Sequence, residues 1–82
     1  MFEITWTEKA YEQLNKLDGM IAHRILKKLD ELSQDPFSKD IRRLKGERAY
    51  RMRIGDYRVI FDIDKNKLII LILRVGHRKK IY

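Results

Sequence analysis

Hydrophobic and polar residues alternate through residues 50–63 in the period of a β-hairpin. Tyr50, Met52 and Ile54 fall on one side of an extended strand, and Arg51 and Arg53 on the other. Gly55-Asp56 supplies the two positions of a tight turn. Tyr57, Val59, Phe61 and Ile63 then alternate with Arg58, Ile60 and Asp62. With Ile54 opposite Tyr57, Arg53 lies across from Arg58 and Arg51 across from Ile60, so three guanidiniums share one face. Like charges directly opposed destabilise a sheet. The arrangement suits a face that receives an anion.

The flanking stretches predict what covers the other face. Phe2, Ile4 and Trp6 alternate with Glu3 and Thr5, which predicts a short strand over residues 1–6. Thr7 is placed to cap a helix over 8–17, with Glu8 in its first turn. Ala10, Leu14 and Leu17 recur at helical spacing, and Tyr11 shares a face with Leu14. Asp18-Gly19 ends this helix, with Gly19 as its C′ residue. A second helix runs from Met20 to Gln34. Ile21 or Ala22, then Ile25, Leu29 and Leu32, form its apolar stripe, with Arg24, Lys27, Lys28 and Glu31 on or near the opposite side. Asp35-Pro36 stops it. Residues 35–46 read as a connection with Phe37, Ile41 and Leu44 pinned to the core. Strands are expected at Arg48–Ile54, Tyr57–Asp64 and Lys67–Val75, the last apolar on both faces and therefore central. Gly76 bulges or ends that strand, and His77–Tyr82 forms a basic tail. The order β-α-α-β-β-β is an α+β domain, an antiparallel sheet with a helical hairpin on one face. The helices cover Tyr50, Met52, Ile54, Tyr57, Val59 and Phe61, which leaves the arginine face open.

Composition sharpens the functional reading. Eighty-two residues make one domain, residues 1–82, with a thin core. Residues 1–39 hold 6 Lys/Arg and 7 Asp/Glu, a net −1, and residues 40–82 hold 13 and 5, a net +8. So polar a charge distribution points to a polyanion, nucleic acid first. Without cysteine there is neither a disulfide framework nor a thiolate metal site, and a cytoplasmic setting fits. The opening MFEITWTEKA lacks the pattern of a signal peptide, and the apolar run Leu68–Leu73 is too short to span a bilayer. His23 and His77 match no metal-ligand spacing, and no glycine-rich phosphate loop is present. No metal and no cofactor is expected. His23 reads as a surface helix residue, Trp6 as core, and Tyr50 and Tyr57 as core-edge aromatics.

Arginine, tyrosine and one histidine suffice for one reaction. Scission of RNA needs a base for the 2′-OH, donors for the phosphorane charge and an acid for the departing 5′-oxygen. Arginines supply fixed bidentate donors to phosphate oxygens. Arginine is too weak an acid to serve as the base. That role falls to His77, Tyr82 or a tyrosine set among the guanidiniums. The same arginines also suit phosphate binding without chemistry, and the residues alone leave both readings open.

From Leu44 onward the chain resembles the RelE branch of the RelE/ParE toxin superfamily. The resemblance rests on LKG at Leu44–Gly46, YRMRI at Tyr50–Ile54, GDYRVIF at Gly55–Phe61 and VGHRKKIY at Val75–Tyr82. The N-terminal part is similar in pattern only. The resemblance implies the same β-α-α-β-β-β fold, a toxin that cuts messenger RNA in the ribosomal A site, and inhibition by a RelB-like antitoxin. It implies phosphate or transition-state contacts for Arg51, Arg53 and Arg58. For Arg78 it implies acid or charge-stabilising work, and for Tyr82 a base or stacking role. His77 stands where related toxins often carry His or Lys and is a second base candidate. Lys45, Arg48, Lys79 and Lys80 are candidate RNA contacts, and Arg42 and Arg43 belong to the same basic run. Arg51 and Arg53 stand where the family often has lysine, which keeps the charge and removes any lysine base. The alternatives are a ParE-type poison of DNA gyrase, which lacks the nuclease set, and a plain nucleic-acid-binding module.

Overall fold

A computed structural model describes residues 1–37, 41–46 and 48–80. The elements are β1 (Glu3–Trp6), α1 (Glu8–Asn15), α2 (Gly19–Gln34), β2 (Ile41–Arg43), β3 (Tyr50–Ile54), β4 (Tyr57–Asp64) and β5 (Ile69–His77). They form one sheet in the order β1-β5-β4-β3-β2, with the helices on one face. The α+β architecture is the one the sequence predicts. Two additions change its edges. β1 pairs with β5 in parallel, so the sheet is antiparallel except at that edge. A short strand, β2, lies inside the expected connection and pairs antiparallel with β3. No helix among the described residues is long and apolar enough to cross a membrane.

The helices follow their capping chemistry. The Thr7 hydroxyl accepts the Ala10 N–H at 3.1 Å and starts α1. Asp18 accepts the Met20 N–H at 2.8 Å and starts α2, so Gly19 is the first residue of the second helix and not a C′ residue of the first. Ala10 and Leu14 of α1 and Ile25, Leu29 and Leu32 of α2 are buried against Met52, Ile54, Val59, Phe61, Ile70, Ile72 and Val75. Trp6 packs against this core and meets Tyr11 edge-on, with Tyr11 itself more than half exposed. Tyr50 stacks on Phe61 at 5.8 Å, at the core edge as expected.

A second, smaller core lies on the opposite face, where Ala49 and Ile60 are buried with Leu44 and Leu73 against them. Leu44 is therefore pinned to that face. Ile41 packs into the main core, whereas Phe37 is exposed, with the Lys65 ammonium over its ring at 5.2 Å.

The hairpin register is the expected one: Ile54 pairs with Tyr57, Arg53 with Arg58 and Arg51 with Ile60. Gly55 opens the turn at φ 58°, in the left-handed region that a side chain disfavours. The irregularity foreseen at Gly76 lies earlier, opposite Ile60/Phe61. Ile60 pairs with Arg74 and Phe61 with Ile72, leaving Leu73 as the extra residue of a bulge. Gly76 is instead a paired residue, opposite Arg58. Beyond the bulge, α1 replaces a neighbouring strand. The Thr7 hydroxyl donates to the Leu73 carbonyl at 3.3 Å, and the Gln13 side-chain carbonyl accepts the Val75 N–H at 2.8 Å.

Gly55→Ala should lower stability by about 1–2 kcal/mol through the left-handed turn position. The check is a urea midpoint that falls while the slope of the transition is unchanged.

Candidate nucleic-acid interface

Two rows of residues build the site. One runs Arg42–Arg51–Ile60–Arg74 across β2, β3, β4 and β5, and the next runs Arg53–Arg58–Gly76 across β3, β4 and β5. Both lie on the face away from the helices. Five arginines from four strands thus share one side of the sheet. Arg42 and Arg53 are exposed, and Arg51 and Arg74 are half-buried.

Arg58 departs from expectation. It is 6% exposed, not partly open. Its Nη1 donates to the carbonyls of Gly55 and Tyr57, each at 3.0 Å, which folds the guanidinium back over the hairpin turn. Its Nε is buried and meets no hydrogen-bond partner among the described residues. Desolvation without full pairing makes this a costly placement. It also makes Arg58 a fixed positive charge in the floor of the face, with little conformational freedom to lose when an anion arrives.

Arg78 stands at the hairpin tip. Its N–H donates to the Asp56 carbonyl at 2.9 Å, and its Nε lies 4.0 Å from Asp56 Oδ1, both side chains being well exposed. That ion pair contributes little to stability, but the backbone bond ties the segment after β5 to the turn. Arg51, Arg53 and Arg58 are therefore gathered on one face, with Arg78 at the tip of the same hairpin.

His77 is not gathered there. It pairs with Tyr57 on the helix-facing side, and the two rings meet edge-on at 5.4 Å. Together with Gln13, Lys16, Leu17, Lys79 and Lys80 it lines a cavity of about 610 Å³ between α1 and the end of β5. Lys79 and Lys80 thus line the α1 side of the tail. Arg48 lines a separate groove of about 580 Å³ with Arg43, Tyr50, Asp62, Asp64 and Lys65 at the far end of the hairpin. Lys45 is exposed in the turn after β2. His23 is exposed on α2, as read from the sequence. Tyr82 lies outside the described residues.

Arg74 was not singled out by its sequence position. On strict alternation from Ile70 and Ile72 it belongs beneath the helices. The bulge at Leu73 turns it to the arginine face. The only sequence signal for that reversal is an arginine inside an otherwise apolar strand.

Comparison with known proteins agrees with this fold. The family model described as ParE toxin of type II toxin–antitoxin system, parDE, matches residues 4–82. The toxin RelG of Mycobacterium tuberculosis is 33% identical over 99% of this chain and 95% of its own. Among solved structures, the toxin–antitoxin complex RelBE2 from Mycobacterium tuberculosis superimposes with a TM-score of 0.85 at 29% identity. It covers 94% of this chain and 98% of the matched one. The archaeal RelE–RelB complex from Pyrococcus horikoshii gives a TM-score of 0.82 at 27% identity, covering 96% and 97%.

The opposition of Arg53 and Arg58 yields a test of the interface. Arg53→Gln should raise stability by about 0.2–1 kcal/mol at low salt, because it removes a like-charge pair across the hairpin. The gain should shrink in high salt, and affinity for single-stranded RNA should fall. Paired urea titrations and RNA-binding isotherms check both.

Proposed function

The chain belongs to the ParE toxin family of type II toxin–antitoxin systems, within the RelE/ParE superfamily, and we propose that it is a RelE-like endoribonuclease that cuts messenger RNA on the ribosome. The observation that supports this most is the placement of Arg51, Arg53 and Arg58 on one face with Arg78 at the tip of the same hairpin. In the proposed reaction the 2′-oxygen attacks the adjacent phosphorus and loses its proton to a base. The bond to the 5′-oxygen breaks, and that oxygen takes up a proton. The products are a 2′,3′-cyclic phosphate and a 5′-OH, with no metal taking part.

Arg51 and Arg53 meet ground-state phosphates first, because both are more accessible than the buried Arg58. Arg58 and Arg78 serve the charge that develops on the phosphorane and the leaving oxygen. Tyr82 is the base in this reading. The site is an open sheet face, so the ribosome supplies much of the substrate orientation.

The inhibitor proposed is a RelB-like antitoxin segment laid over the basic half of the chain. The solved relatives named above are complexes of toxin with antitoxin, and the +8 balance of residues 40–82 favours an acidic partner. Association should be fast and should slow steeply as salt rises. Stopped-flow rates with the neighbouring gene's product across a salt series check this, and salt-independent association would count against it.

The description of the matching family favours a second reading, a ParE-type poison of gyrase. One set of assays separates the two. Purified chain added to translating ribosomes should give cleaved mRNA with 2′,3′-cyclic ends, insensitive to a chelator wherever the ribosomes tolerate it. Supercoiling by gyrase should be unaffected. Arg58→Ala and Arg78→Ala should each lose about 10²–10³ in cleavage rate with smaller changes in ribosome binding. Arg51→Ala and Arg53→Ala should weaken binding as well, and Tyr82→Phe should flatten one limb of the pH–rate profile. Full cleavage by the Arg58→Ala, Arg78→Ala double variant would rule the mechanism out.

A further inference from the structure

We propose that His77 is a positioning residue that builds the turn carrying Arg78, and that it is not the general base. The inference rests on the ribonuclease reading for its consequence in catalysis and on geometry for everything else. The Lys79 N–H donates to His77 Nδ1 at 3.2 Å, and the Lys80 N–H donates to the His77 carbonyl at 2.8 Å. Arg78 lies between these bonds, with its own N–H on the Asp56 carbonyl. The ring therefore closes a turn across the very residue placed at the hairpin tip.

The same closure occurs elsewhere in the chain with a different side chain. Asp18, Asp35 and Asp64 each accept the N–H two residues on, from Met20, Phe37 and Asn66. These are Asx-type turns. At position 77 an imidazole nitrogen does what a carboxylate oxygen does at the other three. The edge-on contact with Tyr57 fixes the ring plane that makes this possible.

Two consequences follow for proton transfer. A neutral imidazole has one lone-pair nitrogen and one N–H. With Nδ1 accepting from Lys79, the proton is on Nε2, so the outward nitrogen is a donor with no lone pair to take a proton from a 2′-OH. The ring also faces the wrong way. It pairs with Tyr57 on the helix side, whereas Arg58 pairs with Gly76 on the other. The groups sharing its cavity are Gln13 of α1, Lys16 and Leu17 just beyond that helix, Tyr57 of β4, Val75 and Gly76 of β5 and the two tail lysines, with no carboxylate among the described lining residues.

The test uses the full chain in single-turnover cleavage on translating ribosomes across pH, with three variants. His77→Asn keeps an acceptor near the place of Nδ1, but its amide cannot act as a base. His77→Gln sets its amide near Nε2 instead, and His77→Ala has none. His77→Asn should cleave within about threefold of wild type at neutral pH. His77→Ala and His77→Gln should each be slower by about tenfold, the worth of a local side-chain cap. Loss of 10²–10⁴ in His77→Asn, equal to that in His77→Ala, is the signature of a base and would overturn the proposal. A second measurement needs no activity. Nitrogen-15 NMR of the imidazole should report the Nε2–H tautomer, and the Lys79 amide should exchange faster in His77→Ala than in wild type or His77→Asn. An Nδ1–H tautomer, or a Lys79 amide indifferent to these changes, would also overturn it. If wild type cleaves nothing on ribosomes, the ribonuclease reading fails while the NMR result still decides what His77 does to the turn.

Discussion

A slip of one residue between β3 and β4 would turn one of the two strands over, placing either Arg51 and Arg53 beneath the helices with Met52 and Ile54 in water, or Arg58 beneath them with Val59 and Phe61 in water. The observed register, Ile54 with Tyr57 and Arg53 with Arg58, is the one that avoids this. Burying guanidiniums under apolar helices is far costlier than any loss of cross-strand pairing. The hydrophobic face thus dictates the register, and the register brings the arginines together whatever their mutual repulsion. The basic face is in this sense a by-product of the core, stabilised from the side it does not occupy.

Repulsion on that face is not fully relieved by the fold. Arg53 and Arg58 are direct cross-strand neighbours, and Arg58 is buried with its Nε unmatched among the described residues. A domain of this size has only a few kcal/mol to lose. What offsets the strain locally is the small apolar cluster of Leu44, Ala49, Ile60 and Leu73. It occupies the same face as the arginines and makes Ile60 fully buried between the Arg51 and Arg74 positions. The face is therefore built as a rigid support with charge set into it.

Period-two alternation made the hairpin legible, down to which residue opposes which. Helical spacing and the Thr7 cap did the same for α1 and α2. The limits have physical causes. β2 is three residues long and takes its strand conformation from β3, so no local pattern marks it. Asp18-Gly19 serves equally to end one helix or begin the next, and only the hydrogen bond from Met20 distinguishes them. Residues 67–75 are apolar on both faces, which reveals burial but carries no phase. A bulge in such a strand leaves no trace in hydrophobicity, and the places of Arg74 and His77 hang on that bulge. Phe37 looked like core because it is aromatic, but it lies after the Asp35-Pro36 stop and is itself exposed.

The single extra residue at Leu73 decides more of the site than any other feature of β5. Counted straight on from Ile70 and Ile72, Arg74 and Gly76 would face the helices and Val75 and His77 the arginines. The bulge exchanges them. Val75 gains a place in the main core and has its N–H held by Gln13. Arg74 joins the row with Arg51, and Gly76 comes opposite Arg58. His77 swings to the Tyr57 side, where its ring can close the turn under Arg78. A β5 without the bulge would put a histidine beside the arginine floor and take Arg74 away from it. The chemistry of the face is thus set by a register shift on the strand next to it, and α1 holds that shift in place through Thr7 and Gln13.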